Sequence, residues 1–179
     1  GAVGAAIGEG YTAAQANDAV SRKPEASGDI LKNMLVGQAV AESAAIFALV
    51  IAILLLFLDV PVHNVLEGAA LLAAGLCMGA GAVGSGIGSG FPGGQACQGI
   101  SRQPSVMSRL TTNMLIGSAV CQTPAIFSMV VALMLIFMDF GSLPVGPTWA
   151  ALIGAGLSTG LAAIGSGYGG GLAAGASCE

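Results

Sequence analysis

The chain has 179 residues, of which 55% are hydrophobic and 8% charged, with a formal net charge of −4. A soluble domain carries about 25% charged residues, and the mean hydropathy here is +0.86. This excludes a disordered chain, which needs low hydrophobicity and high charge, a collagen, since its 29 Gly follow no Gly-X-Y period, and a nucleic-acid binder, since five Lys and Arg cannot make a basic face; a polytopic helical membrane protein remains.

In chain order, residues 1–22 read as a glycine-rich helix that ends at Ser21-Arg22-Lys23-Pro24. Residues 28–58 form an apolar run of 31 residues, longer than the ~20 needed to span a bilayer, so tilt or protrusion is expected. The break at Asp59–Val65, with Pro61, closes a first hairpin over 1–65. A second hairpin, 66–145, pairs a glycine-rich helix at 66–101 with an apolar one at 106–138, broken at Gln103–Ser105 and ended by 139–146, with Pro104, Pro144 and Pro147 in or beside the breaks. Residues 146–179 read as the first helix of a third hairpin. The first helix is shorter than its repeats and the fifth has no partner, so a piece of a longer chain is expected.

The hairpins are internal repeats. Ser21-Arg22-Lys23-Pro24 returns as Ser101-Arg102-Gln103-Pro104, and NMLVGQAVAE at 33–42 as NMLIGSAVCQ at 113–122. Ile7-Gly8-Glu9-Gly10-Tyr11 returns at 87–91 and again at 164–168. The expected fold is therefore all-α, built of tandem transmembrane helical hairpins.

All five basic residues (Arg22, Lys23, Lys32, Arg102, Arg109) lie in or just after the two Pro-bearing turns, whereas the opposite connections carry Asp59, Glu67 and Asp139. The positive-inside rule places the Arg-x-Pro turns in the cytoplasm, and Trp149 near the start of the fifth helix reads as an interfacial anchor. Cys77, Cys97, Cys121 and Cys178 form no C-x-x-C pair and sit in apolar runs, so buried packing is expected rather than zinc or redox chemistry. No basic n-region precedes the first helix, so nothing resembles a cleaved signal peptide.

Glycines 86, 90 and 94 stand four apart, hence on one face of the third helix, and Gly79, Gly81, Gly84 and Gly88 add further faces. In a bilayer, small residues let helix backbones approach closely. Ladders on several sides call for small neighbours on several sides, which a tightly wound cylinder of helices supplies. The stretch from Gly79 to Gly84 also fits G-x-G-x-x-G, but long apolar helices flank it, not the strand and βαβ unit that a dinucleotide site needs. No P-loop lysine follows such glycines.

Two carboxylates fall where charge is costly. Glu42 is mid-helix, about 22 Å from either end of its run. Ionised at that depth, it costs roughly 2.5–3.5 kcal/mol. Glu9 and Glu42 are equidistant from the turn near residue 25, so an antiparallel hairpin puts them at one depth. Two such carboxylates need a proton or a cation between them, and the hydroxyl of Ser43 adds an oxygen suited to a hard cation. A protonated Glu hydrogen-bonded between helices, without a transport role, is the plainer alternative. In the second hairpin Gln122 and Ser89 stand in the places of Glu42 and Glu9, so the titratable pair is lost there. Pro124 removes a backbone donor just beyond. Gln122, Ser89 and Thr123 are expected to hydrogen-bond across helices.

These residues together resemble the rotor-ring proteolipid, the c-type ring protein of rotary ATP synthases and ATPases. The resemblance is strongest in 7–11, 21–25 and 33–47, and the turns Arg22-Lys23-Pro24 and Arg102-Gln103-Pro104 look more F-type than V-type. Val40-Ala41-Glu42-Ser43 resembles the sodium-binding version. The resemblance implies an oligomeric c-ring and Na+ held by Glu42, Glu9, Ser43 and the Val40 carbonyl, with H+ as the alternative cargo. It further implies a stator subunit bearing an arginine, and a central stalk gripped by Arg22, Lys23, Pro24, Arg102, Gln103 and Pro104. Phe47 and Ala44 depart from the sodium-type pattern, which often has Tyr and a second hydroxyl there. A bacterial or archaeal inner membrane is the expected setting, with no nucleic-acid partner. Loss of a carboxylate per fused chain predicts fewer ions per ATP and favours an ATP-driven pump. Rival readings are a V/A-type proton-pumping proteolipid, a hairpin-repeat channel or carrier, and a purely structural membrane oligomer. A membrane-embedded enzyme is the least supported, since the lone His63 sits in a connection.

Overall fold

The computed structural model describes residues 1–59, 62–140, 142 and 146–178. Pro61 and Pro144 in the expected breaks, the hairpin boundary at residue 145 and the terminal Glu179 lie outside that set. Five long helices make up the described residues, with no strand among them: α1 (Ala2–Arg22), α2 (Ser27–Phe57), α3 (Val65–Arg102), α4 (Met107–Phe137) and α5 (Thr148–Ala176). Four of them, α2 to α5, are long and apolar enough to cross a membrane.

The two Pro-bearing turns are built alike. Lys23 (φ −138°, ψ 73°) and Gln103 (φ −137°, ψ 76°) leave the helical region. This is the restriction that a following proline imposes. Pro24 and Pro104 then open single 3-10 turns, Pro24–Ala26 and Pro104–Val106, that lead into α2 and α4. At the opposite end a capping box starts α3: Asn64 Oδ1 accepts from the Glu67 N–H at 3.0 Å, and the Glu67 carboxylate accepts from the backbone N–H of Asn64 at 3.2 Å and from that of His63. These three residues thereby satisfy donors that a bare helix end leaves open.

The helices form two rows. The glycine-rich α1, α3 and α5 lie side by side with α3 in the middle; α2 packs over α1 and α3, α4 over α3 and α5, and α2 touches α4. The inner row is held by backbone contact on two faces of α3. Toward α1, a methyl on Gly86 would stand 2.5 Å from the Ala5 nitrogen, and one on Gly90 would stand 2.4 Å from the Gly8 carbonyl oxygen. Toward α5, methyls on Gly84 and Gly88 would stand 2.4 Å from the Ile164 Cα and 2.0 Å from the Gly167 carbonyl oxygen. The ladders thus divide between two neighbours, Gly86 and Gly90 facing α1, Gly84 and Gly88 facing α5. Pro92 sits inside α3 and leaves the Gly88 carbonyl without its helical donor. That oxygen lies where a methyl on Gly171 would come within 2.2 Å of it.

Tyr11, Phe91 and Tyr168, at equivalent repeat positions, meet edge to face with ring centroids 5.1 and 5.3 Å apart. The outer row leaves its back uncovered: Leu35, Ile46, Leu49, Ile53 and Leu56 on α2 and Ile116, Val120, Phe127 and Met134 on α4 are all exposed. Apolar surface of that extent fits a lipid environment. All four cysteines are buried and unbridged. Trp149, at the second position of α5, is exposed.

Replacing Gly88 by Ala should cost about 1–3 kcal/mol and lower the thermal unfolding midpoint of the detergent-solubilised protein. Gly79→Ala, where a new methyl meets no atom within 4 Å, should leave that midpoint unchanged or raise it.

Candidate functional site

Half-way along α2 and α4 the packing turns polar. The two hairpins repeat one tie: Gln38 on α2 donates from Nε2 to the Glu9 carbonyl at 3.3 Å, and Ser118 on α4 donates from Oγ to the Ser89 carbonyl at 3.2 Å. Each outer helix is thus pinned to the same carbonyl of its inner partner, which sets Glu9 and Ser89 at corresponding heights.

Around that level the second hairpin is closed. Gln122, only 7% exposed, donates from Nε2 to Ser89 Oγ at 3.0 Å and to the Val40 carbonyl of α2 at 2.7 Å. Ser89 Oγ in turn donates to the Ser85 carbonyl at 2.7 Å. Val40 also accepts from Ser43 Oγ, one turn on, at 2.6 Å. Pro124 has no N–H, and the next residue, Ala125, donates its own to Ser85 Oγ at 3.0 Å, tying the disturbed stretch of α4 to α3. Gln122 Oε1 is buried with no partner among the described residues.

The first hairpin is open at the same level. Glu42 is exposed, Ser43 and Glu9 are half-buried, and no hydrogen bond or ion pair to either carboxylate occurs among the described residues. The structure therefore brings together Val40, Ser43, Ser89 and Gln122. It sets Glu42 apart, two residues and about 200° of helical rotation from Val40, on the side of α2 away from α4. Thr123, counterpart of Ser43, lies on the far side of α4 in an open groove of about 640 Å³, with Val120, Pro124 and Phe127 and with Ser158, Thr159 and Ser166 of α5. Val120 and Ser166 there are the repeat counterparts of Val40 and of Glu9 and Ser89.

The turn residues Arg22, Lys23, Pro24, Arg102, Gln103 and Pro104 are exposed at one end of the bundle. Arg22 pairs with Asp18, and Gln98 Nε2 reaches both Asp18 Oδ2 at 2.8 Å and Gln15 Oε1 at 2.9 Å, so the α1 and α3 ends are laced together. Sequence reasoning missed this lacing, and also the tie from Thr111 Oγ1 to Asn33 Oδ1 at 3.0 Å that joins α4 to α2. The repeat gives no signal for the latter: Asn113, the counterpart of Asn33, donates instead to the Ser177 carbonyl at 3.3 Å just beyond α5.

Two hairpins that repeat a turn, a glycine ladder and a mid-height polar pair define an integral membrane protein assembled from c-type hairpin units. The family model for the C subunit of ATP synthase matches residues 1–55 and again residues 72–135, and the chain belongs to that family. It is similar to the ATP synthase c-subunit of Natranaerobius thermophilus, 54% identical over 55 residues, 31% of this chain and 64% of that protein. The c-subunit of Thermotoga maritima is 45% identical over 67 residues, 37% of this chain and 79% of that protein. That of Alkaliphilus oremlandii is 56% identical over 55 residues, 31% of this chain and 62% of that protein. The chain thus spans a little under two thirds of the length of the first and last of these relatives.

Ser85→Ala removes the α3–α4 tie beside Pro124 and should cost about 0.5–1.5 kcal/mol. Thermal unfolding in detergent should show it as a lowered midpoint, with the helical circular dichroism unchanged at low temperature.

Proposed function

We propose that the chain is a rotor subunit of a rotary ATP synthase or ATPase, carrying Na+, or H+ in its place, on Glu42. One observation carries this reading: the only mid-height acidic position on the outer row, among the described residues, lies on a free lateral edge, while its counterpart in the next hairpin is a buried neutral amide. An ionised Glu42 cannot face lipid cheaply. Capture of a small cation neutralises it, and the loaded site passes through the bilayer. Glu9 is the second carboxylate of this site. Its counterpart Ser89 lies within 3.0 Å of Gln122, the counterpart of Glu42, which supports a shared site for the two carboxylates.

By the same repeat, a hydroxyl of the Ser43 type and a valine carbonyl of the Val40 type complete an oxygen set suited to a hard monovalent cation. A fixed cation on the stator discharges the ion at the exit path. Each charge that crosses the potential delivers about 2.3 kcal/mol per 100 mV, which the ring turns into torque. The exposed basic turns grip the central stalk from the cytoplasmic side. The setting is a bacterial or archaeal inner membrane, a reading that the bacterial relatives support. With the second hairpin silent, fewer ions pass per turn than there are hairpins, which favours ATP-driven pumping.

Labelling of the assembled protein with dicyclohexylcarbodiimide tests this. Glu42 should be modified, and either added Na+ or raised pH should protect it; Glu42→Gln should abolish ion-coupled ATP hydrolysis. An ion-to-ATP ratio equal to one ion per hairpin, or full coupling in the Glu42→Gln variant, would contradict the reading.

A further inference from the structure

The open groove on the far side of α4 repeats, on α5, the seat that α2 takes on α1 and that α4 takes on α3. Ser158, Ala162 and Ser166 line it. The repeat makes them the counterparts of Gly81, Ser85 and Ser89 on α3, and of Gly1, Ala5 and Glu9 on α1. All three are exposed. Ser158 and Ser166 spend their hydroxyl protons on their own helix, on the Ala155 carbonyl at 3.1 Å and the Ala162 carbonyl at 3.0 Å. The α5 wall therefore offers shape and apolar surface, with no free hydroxyl donor.

Two positions of each filled seat match the helix above it. Where α4 carries Pro124, α3 supplies Ser85, whose Oγ accepts the Ala125 N–H at 3.0 Å. Where α2 has Ala44 in place of that proline, α1 has Ala5 in place of that serine. One turn further along, each inner helix has a glycine under the outer one. A methyl on Gly81 would lie 2.4 Å from Ser128 Cβ, and one on Gly1 would lie 2.4 Å from Ala48 Cβ. On α5 the first position is Ala162 and the second is Ser158. The α5 seat thus holds no acceptor for a proline-disturbed stretch, and the Ser158 side chain fills the space that Ser128 and Ala48 use on the other two.

We propose that the α4–α5 groove is the docking seat of an apolar transmembrane helix of the α2 kind, free of proline at the level of Pro124 and with a glycine over Ser158. The occupant is a helix because the same walls hold one at two other places in this molecule, and the floor that α3 gives α4 continues on α5. A replica of α4 is excluded twice. Its proline would leave a backbone N–H without the acceptor that Ser85 provides, a cost that lipid does not relieve. Its Ser128 would meet the Ser158 side chain where Gly81 now leaves room. An unmodified replica of α2 passes the first condition and fails the second, because Ala48 also needs a glycine beneath it. The inference concerns how helices fit and uses no cargo ion, so it stands apart from the reading of Glu42.

The test uses the full chain in lipid vesicles, with Phe127 on the groove wall replaced by the photo-cross-linker benzoylphenylalanine. The probes are synthetic peptides of the sequence Ser27–Phe57: one unchanged, one with Ala48→Gly, and one with Ala48→Gly and Ala44→Pro. The Ala48→Gly peptide should cross-link about fivefold more than the proline peptide, the worth of one hydrogen bond. In the Ala162→Ser chain the acceptor is restored, and that preference should shrink to about twofold or less. The unchanged peptide should also cross-link less than the Ala48→Gly peptide, and the Ser158→Gly chain should take the two alike. With the cross-linker at Leu49 instead, on the exposed back of α2, the peptides should not differ. The proposal is overturned if the proline peptide cross-links at position 127 as well as its partner, or if Ala162→Ser leaves the preference as it was. It is equally overturned if no peptide cross-links at position 127 above its level at position 49, which would leave the groove to lipid chains.

Discussion

Backbone-to-backbone approach along α3 is the contact on which the rest depends. Lipid tails are as apolar as leucine, so helices in a bilayer gain little from hiding side chains and must gain from close packing. Gly86 and Gly90 let α1 in on one face, and Gly84 and Gly88 let α5 in on another. No other residue type permits both, because a methyl at any of the four would stand 2.5 Å or less from a neighbour's backbone. Once the three glycine-rich helices are drawn together, the grooves between them are narrow and fixed. The bulkier α2 and α4 settle into those grooves, and their polar residues arrive at the same height from one hairpin to the next.

That regularity makes the divergence between hairpins meaningful. The ties from Gln38 and Ser118 to the carbonyls of Glu9 and Ser89 are the same device made with different side chains. The level they define holds acids in one hairpin and neutral hydrogen-bonding groups in the other. Gln122 for Glu42 keeps length and shape and removes charge; Ser89 for Glu9 removes bulk and leaves one hydroxyl. Pro124 adds a disturbance that Ser85 absorbs by taking the Ala125 N–H. The second hairpin is thereby closed on itself and tied through the Val40 carbonyl to the first, whereas the carboxylate of the first stands at a border.

The helical class is legible because composition, hydropathy and an internal repeat agree, and because an X-Pro pair at each turn can read only as a break. The two-sided packing of α3 is legible too, since no single neighbour could use glycines at both 84 and 86. Pairings between helices distant in sequence are harder to read. Val40 stands two residues from Glu42, and proximity along the chain groups the two. On a helix, however, its carbonyl looks along the axis toward the next turn, and here Ser43 and Gln122 engage it. Asn33 with Thr111 and Gln98 with Asp18 leave no local trace, because hydrogen bonds between residues about eighty apart follow from packing geometry and not from any spacing along one helix.

The aromatic row at Tyr11, Phe91 and Tyr168 carries a last consequence. Its two contacts are nearly equal in length, so the aromatic spacing between α1 and α3 is repeated between α3 and α5. A repeated step of fixed size bends an assembly by a constant amount at each addition, and a constant bend returns on itself only after a set number of units. The size of those rings at three positions thus bears on the curvature of any assembly in which such hairpins are joined side by side.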